Sequence, residues 1–331
     1  MTKALALVSG GLDSILAACL IREQGIEVTA ICFKSAFFSS KNAEKICKHV
    51  GIPLVVVDFT EEHLEMTKAP KHGYGKNMNP CIDCHAMMMR YAGRLLEEMN
   101  ADFLITGEVL NQRPMSQNRR ALDIVKKESG WQKKILRPLC AKCLLPTEME
   151  LEGLVDREKL LGFSGKTRKP QMELAKQYNI IEYPSPAGGC CLTEPQFGNR
   201  LKNLYESGKE EITSYDVELL KIGRHIDAGN GVKVISTRDI GEYDQLMKLL
   251  RDRDYVFNTA DCNGSTIGVI LLEDRDLTQD EINFAAGVTA RYSKDREKPE
   301  VAIKYKRIED ETEVCINTVS EKDEKLQEML L

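Results

Sequence analysis

Residues 3–8 read Lys-Ala-Leu-Ala-Leu-Val, and the chain then passes through Ser9-Gly10-Gly11-Leu12-Asp13-Ser14 into an apolar stretch with helical spacing. A short buried strand that feeds a helix through two glycines commits the chain to an α/β layout. The glycines let main chain approach a ligand closely and adopt positive φ. The helix start presents unpaired N–H groups and a partial positive charge, which together cradle an anion. No Gly-Lys-Ser/Thr follows, so this is not a Walker loop, and the Gly-x-Gly-x-x-Gly dinucleotide pattern is absent. Without the Walker lysine, the bond to attack lies between the α- and β-phosphates, leaving pyrophosphate in the cradle.

The pattern that follows predicts helices over 13–24, 40–50 and 85–99. Strands are predicted over 26–33, 53–58, 102–106 and 135–139. This alternation predicts a parallel sheet with helices on both faces in a first domain, 1–145. Residues 146–208 predict a small segment of short helices and loops. Residues 209–331 predict a C-terminal α+β domain, with strands over 232–236, 265–272, 300–307 and 313–319 and helices over 242–250 and 279–293. The tail after Glu309 is acidic and reads as mobile.

The hexapeptide Ser9–Ser14 resembles the PP-loop signature of N-type ATP pyrophosphatases, which adenylate a carbonyl oxygen, release pyrophosphate and let a nucleophile displace AMP. The resemblance implies an adenine nucleotide alpha hydrolase-like (Rossmann-like) fold. It places Ser9, Gly10, Gly11, Asp13 and Ser14 around pyrophosphate and Mg²⁺, with Asp13 catalytic. It implies Cys32 and Phe33 near adenine, and Thr106-Gly107-Glu108 closing the nucleotide site.

Eleven cysteines in a chain without a signal peptide point to thiol chemistry rather than disulfides. Cys19, Cys32 and Cys47 read as core, Cys262 and Cys315 as isolated, and Cys140/Cys143 as incidental thiols. That leaves Cys81/Cys84, placed just before a helix whose dipole favours thiolates, and Cys190/Cys191 in a Gly-containing loop. Such a pair suits a redox couple, half a zinc site, part of an iron–sulfur site, or a nucleophile with its neighbour.

Asn79-Pro80 and Cys84 are similar to the Asn-Pro-Asp-x-x-Cys motif of MnmA-type tRNA 2-thiouridylases, with Cys81 standing where that family has aspartate. Two thiols from one loop and one from another also resemble the TtuA and TtcA type of tRNA thiolase. There three cysteines hold a [4Fe-4S] cluster whose open iron can carry sulfide. The resemblance implies Cys81, Cys84 and Cys190 as ligands, with Cys84 and Cys190 catalytic. Cys191 stays open as the third ligand. A cluster-free persulfide relay through Cys84 and Cys190, and a zinc site closed by His85 or Cys191, also stay open.

Net charge is −5, so the whole chain does not advertise nucleic-acid binding. Residues 111–145, however, carry nine Lys/Arg against Asp123 and Glu128, a candidate phosphate-facing surface. Gln112, Arg113, Ser116 and Gln117 are candidates for contact with ATP or RNA. Gly165-Lys166-Thr167-Arg168-Lys169 is a second basic loop, fit for tRNA phosphates or for plain solvation. His85 receives no base role, and His49, His63, His72 and His225 show no ligand spacing. Residues 225–307 resemble the NFACT-R RNA-binding module. The expectation is an ATP-dependent tRNA sulfurtransferase using ATP, Mg²⁺ and a [4Fe-4S] cluster, with tRNA and a sulfur donor (free sulfide or a separate carrier) as partners. The alternatives are sulfur transfer to a small molecule and an RNA-binding adaptor. No apolar run reaches the ~18–20 residues of a membrane span, and the chain reads as cytoplasmic.

Overall fold

The computed structural model describes residues 1–184, 189–261, 266–271 and 275–331, in two compact units, Met1–Glu194 and Pro195–Leu331. Cys262 and residues 185–188 of the Gly-containing loop lie outside the described residues.

The first unit runs β1 (Lys3–Leu7), α1 (Leu12–Arg22), β2 (Glu27–Lys34), α2 (Lys41–Val50), β3 (Leu54–Asp58), α3 (Thr60–Lys68) and α4 (Cys81–Glu98). It continues with β4 (Phe103–Thr106), α5 (Arg119–Glu128), β5 (Ile135–Leu136), α6 (Glu148–Leu151) and α7 (Lys169–Gln177). The five strands form one parallel sheet, order β3-β2-β1-β4-β5, with β1 at the centre. Period-two alternation sorts β1 between two cores. Ala4 and Ala6 face α1 and α2, while Leu5 faces α4 and α5. Small alanines on one side let α1 lie close, and nine of its eleven residues are buried. The expected helices on both faces are present.

Two differences from expectation concern boundaries. Residues 146–194 are not a separate segment. Met149, Val155, Leu160, Ala175 and Ile180 share one core with α1 and β1, so α7 covers α1 and the first unit extends to Glu194. The helix α4 also begins at Cys81 rather than 85, because Cys84 N–H already bonds the Pro80 carbonyl at 2.9 Å. Both thiols therefore belong to its first turn.

The second unit runs α8 (Pro195–Glu206), α9 (Ser214–Leu220), β6 (Arg224–Gly229), β7 (Val232–Ser236), α10 (Ile240–Leu249), β8 (Tyr255–Thr259) and β9 (Ile267–Leu271). It closes with α11 (Gln279–Arg291), β10 (Val301–Arg307), β11 (Val314–Thr318) and α12 (Asp323–Met329). Its antiparallel sheet has the order β11-β10-β8-β9-β7-β6, covered by α11. The acidic tail is part of this fold, not a mobile extension. β11 pairs with β10, Leu326 is buried, and the Leu331 amide bonds the His225 carbonyl at 2.9 Å. No helix among the described residues is long and apolar enough to cross a membrane.

Candidate active site

At the end of β1, Val8 N–H still bonds the Ile31 carbonyl at 2.9 Å, and the chain then turns at Gly10 with φ +81°. A Cβ on Gly10 would meet the Ala43 amide nitrogen at 2.5 Å, so the loop's main chain touches the start of α2. Gly11 caps α1 in extended conformation with no side-chain cap, and the Ser14 hydroxyl donates to its carbonyl at 2.9 Å. The leading amides of α1 are thus free for an anion. Gly107, at the end of β4, packs against this turn. A Cβ there would meet the Ser14 nitrogen at 2.4 Å. The strand ends expected to form the nucleotide site do come together.

Asp13 sits in a network that the motif alone does not show. Gln112 Nε2 donates to its carboxylate at 2.6 Å, and Arg168 Nη2 approaches it at 3.4 Å. Gln171 in turn donates to Gln112 at 2.7 Å. Arg168 Nε and Gln171 Oε1 are buried without a hydrogen-bond partner. Unsatisfied buried polar atoms are costly and call for a ligand or water. The cradle, the unpartnered atoms and the Asp13 carboxylate fit a bound polyphosphate with its cation. Gln112 was legible as a candidate. Arg168 stood out only as part of a basic loop, and nothing in the pattern pointed to Gln171.

Phe33 is buried, with its ring 5.1 Å from Phe59 and edge-on to Tyr91. What this position offers a base is main chain. Cys32 faces the opposite core, where burial pushes its thiol up to about 12.

The thiols form a second centre in the same unit. Cys84 is buried; burial pushes its thiol well above the ordinary range, and Cys190 and Cys81 add to the rise. Burial likewise lifts Cys190 to about 12, with Cys81 also raising it and Arg113 lowering it. The Asn77–Thr193 bond joins the stretch before Cys81 to the one after Cys190, more than a hundred residues apart in sequence, and the thiols lie near enough to influence one another. Burial of Cys84 and Cys190 opposes the thiolate form that the helix dipole favours. Cys191 turns elsewhere, its thiol donating to the Phe37 carbonyl at 3.3 Å.

Side chains tie the two thiol loops. Asn77 Nδ2 donates to the Thr193 carbonyl at 2.5 Å, and Asn79 Nδ2 to Cys81 Sγ at 3.2 Å. Asp83 accepts both the amide and the ring nitrogen of His72, at 2.9 and 2.8 Å. Three thiols are soft donors suited to iron or zinc. Among the described residues no three His, Cys, Asp or Glu side chains stand in metal-holding geometry. The donor chemistry fits an iron–sulfur group, while the spacing is not that of a formed cage.

Beside Cys84 in α4, His85 Nδ1 lies 3.3 Å from Glu108, which follows Gly107 on the nucleotide side. Glu108 also pairs with Arg137 at 2.8 Å and accepts from Thr106 at 3.1 Å. Burial alone would raise this carboxyl, yet Arg137 and His85 hold it down at about 2. Cys140 and Cys143 serve locally: their thiols donate to the Glu108 and Gly162 carbonyls, both at 3.3 Å.

Residues 1–142 match the family model described as thiamine biosynthesis protein (ThiI). Residues 223–330 match the one described as NFACT protein RNA binding domain. A probable tRNA sulfurtransferase of Thermococcus kodakarensis is 31% identical over 182 residues, covering 52% of this chain and 44% of the relative. The match thus spans less than half of that relative's length. Among solved structures, a 4-thiouridine synthetase in complex with RNA and ATP is 21% identical, covering 66% of this chain and 52% of its own, with a TM-score of 0.38. A predicted tRNA methyltransferase subunit from Methanocaldococcus jannaschii is 17% identical, covering 65% and 91%, with a TM-score of 0.40. Residues 1–142 are thus similar to the ThiI family and residues 223–330 to the NFACT RNA-binding domain.

Proposed function

We propose that the protein is an ATP-dependent tRNA sulfurtransferase. The observation that carries this reading is the gathering of Cys81, Cys84 and Cys190 in the unit that also holds the pyrophosphate cradle. In the first step, a nucleobase carbonyl oxygen attacks the α-phosphorus of ATP. The new O–P bond forms as the bridging P–O bond breaks, and pyrophosphate leaves into the amides of α1. Asp13 would hold Mg²⁺, which when bound supplies countercharge to the phosphates, and Arg168, beside Asp13, would neutralise the departing charge. In the second step, sulfur adds to the activated carbon, and the C–O bond breaks to release AMP. Cys81, Cys84 and Cys190 would hold a [4Fe-4S] cluster, which when bound supplies an open iron for sulfide. Free sulfide would serve as donor to the cluster directly. Without the cluster, a separate carrier protein's persulfide would pass its outer sulfur to Cys84 or Cys190, regenerating the carrier thiol. That outer sulfur would attack the activated carbon as AMP leaves, and the other cysteine would then attack the inner sulfur, forming a Cys84–Cys190 disulfide and freeing the thionucleoside.

A second reading, sulfur transfer to a small molecule, is favoured by the thiamine-biosynthesis description of the matched family. The RNA-binding domain supports tRNA over that reading. Analysis of thiolated nucleosides in tRNA from a deletion strain separates the two: a missing thionucleoside is expected, and an unchanged profile overturns the tRNA reading. Iron and sulfide analysis of anaerobically purified protein tests the cluster. Zinc in place of iron would exclude it.

A further inference from the structure

Away from both centres, the first unit contains a cavity of about 180 Å³ lined by Arg119, Leu122, Asp123, Lys126, Arg137 and Glu150, among others. It is smaller than the ~300–1,000 Å³ typical of sites for whole small molecules. A single charged group fills such a space. The charges around it do not cancel. Arg137 is spent on Glu108, with its Nη2 donating to the Leu122 carbonyl at 3.1 Å. Glu150 is spent on Arg157 and on capping Thr147. That leaves Arg119 and Lys126 against Asp123, one net positive charge. Arg119 donates to the Cys143 carbonyl, at 2.9 Å. Lys126 is half-buried, and burial, with Arg137 beside it, lowers its affinity for the proton it carries more than Asp123, Glu148 and Glu150 restore it. A buried cation in that condition gains from an anionic partner.

The surroundings share this excess. Of the nine cations between residues 111 and 145, Lys133, Arg137 and Lys142 pair with Glu148, Glu108 and Glu158. Among the described residues, Arg113, Arg119, Arg120, Lys126, Lys127 and Lys134 have no carboxylate at ion-pair distance. Unpaired cations on the surface of an acidic protein are a local polyanion footprint.

We propose that the cavity receives one phosphodiester of the RNA strand, with Arg119 and Lys126 as its charge partners. A phosphodiester carries one negative charge, which matches the single excess positive charge of the lining. The proposal rests on the tRNA reading of the function and adds a contact in the first unit to that of the RNA-binding domain.

The test measures tRNA affinity of the full chain across a salt series, for the native protein and for Arg119→Ala, Lys126→Ala and their double variant. Removing one phosphate partner lowers the salt slope by about 1, so the double variant is expected to bind roughly ten-fold more weakly at low salt. ATP affinity and thermal stability should be unchanged, and Lys126→Arg should retain binding. Native affinity and slope in the double variant would overturn the proposal. A parallel titration with inorganic phosphate identifies the source of the group. If the double variant loses phosphate binding but keeps its tRNA affinity, the ligand is free phosphate and the RNA assignment fails. If native protein binds no tRNA at any salt, the functional reading fails with it. If the variants bind and thiolate like native protein, only this contact is wrong.

Discussion

The first unit holds two centres made in opposite ways. The phosphate cradle is main chain: six contiguous residues, two glycines and the open end of a helix. The thiol centre is all side chain, assembled from the start of α4 and from a loop more than a hundred residues later, with Asn77 bonded across to Thr193. The cradle depends on backbone shape, so only changes that distort the backbone should damage it. The thiol centre depends on particular atoms, so single substitutions should silence it while leaving the fold intact.

The largest effect is expected from Cys190→Ala. Sulfur transfer should fall at least roughly a thousand-fold with an unchanged unfolding midpoint, whereas Cys191→Ala should keep activity within a few-fold, because its thiol is directed to the Phe37 carbonyl. Thionucleoside yields measure both, and equal losses would break the distinction between the two thiols. Next is Gly10→Ala, which would force a positive φ on alanine and push its Cβ into Ala43. A destabilisation of roughly 3–5 kcal/mol with loss of ATP binding is expected in denaturant titration. A variant of native stability would show that the cradle tolerates side chains.

Glu108 supplies a test on the boundary between the centres. Its folded carboxyl is held at about 2, below the ordinary 4.5, by Arg137 and His85 against the cost of burial. The folded state therefore binds its proton more weakly than the unfolded chain does. The stabilisation is complete above pH ~4.5 and is lost as pH falls towards 2, by about 3 kcal/mol in all. Urea titrations of native protein and Glu108→Gln should diverge at neutral pH and converge in acid; parallel curves would contradict the pairing. The smallest effect belongs to Asn77→Ala, which removes one bond to Thr193 and should cost about 1 kcal/mol. Faster thiol alkylation at Cys190 would register the loosened tie, and an unchanged rate would place the tie elsewhere.

What the sequence disclosed follows the same division. The cradle was legible because its chemistry is local, and the alternation of strands with helices disclosed the parallel sheet. The thiol set was legible through resemblance, but not its burial: whether Cys84 carries charge depends on what surrounds α4. Arg168 and Gln171 were hidden because Arg168 reaches Asp13 from 155 residues away, and Gln171 only through Gln112, in a stretch of unremarkable polar spacing. The acidic tail misled because charge on one face of β11 and α12 masks the apolar positions, Leu326 among them, that dock on the sheet.

The covering of α1 by α7 bears on how the first unit forms. Ala175 and Ile180, which complete the apolar surround of α1, come more than 150 residues after it in sequence. Contacts so far apart in sequence slow folding, since the loop must close before burial rewards it. Until then, a helix apolar on nearly every side waits with one flank open, and that interval is when the nascent chain is most exposed to aggregation.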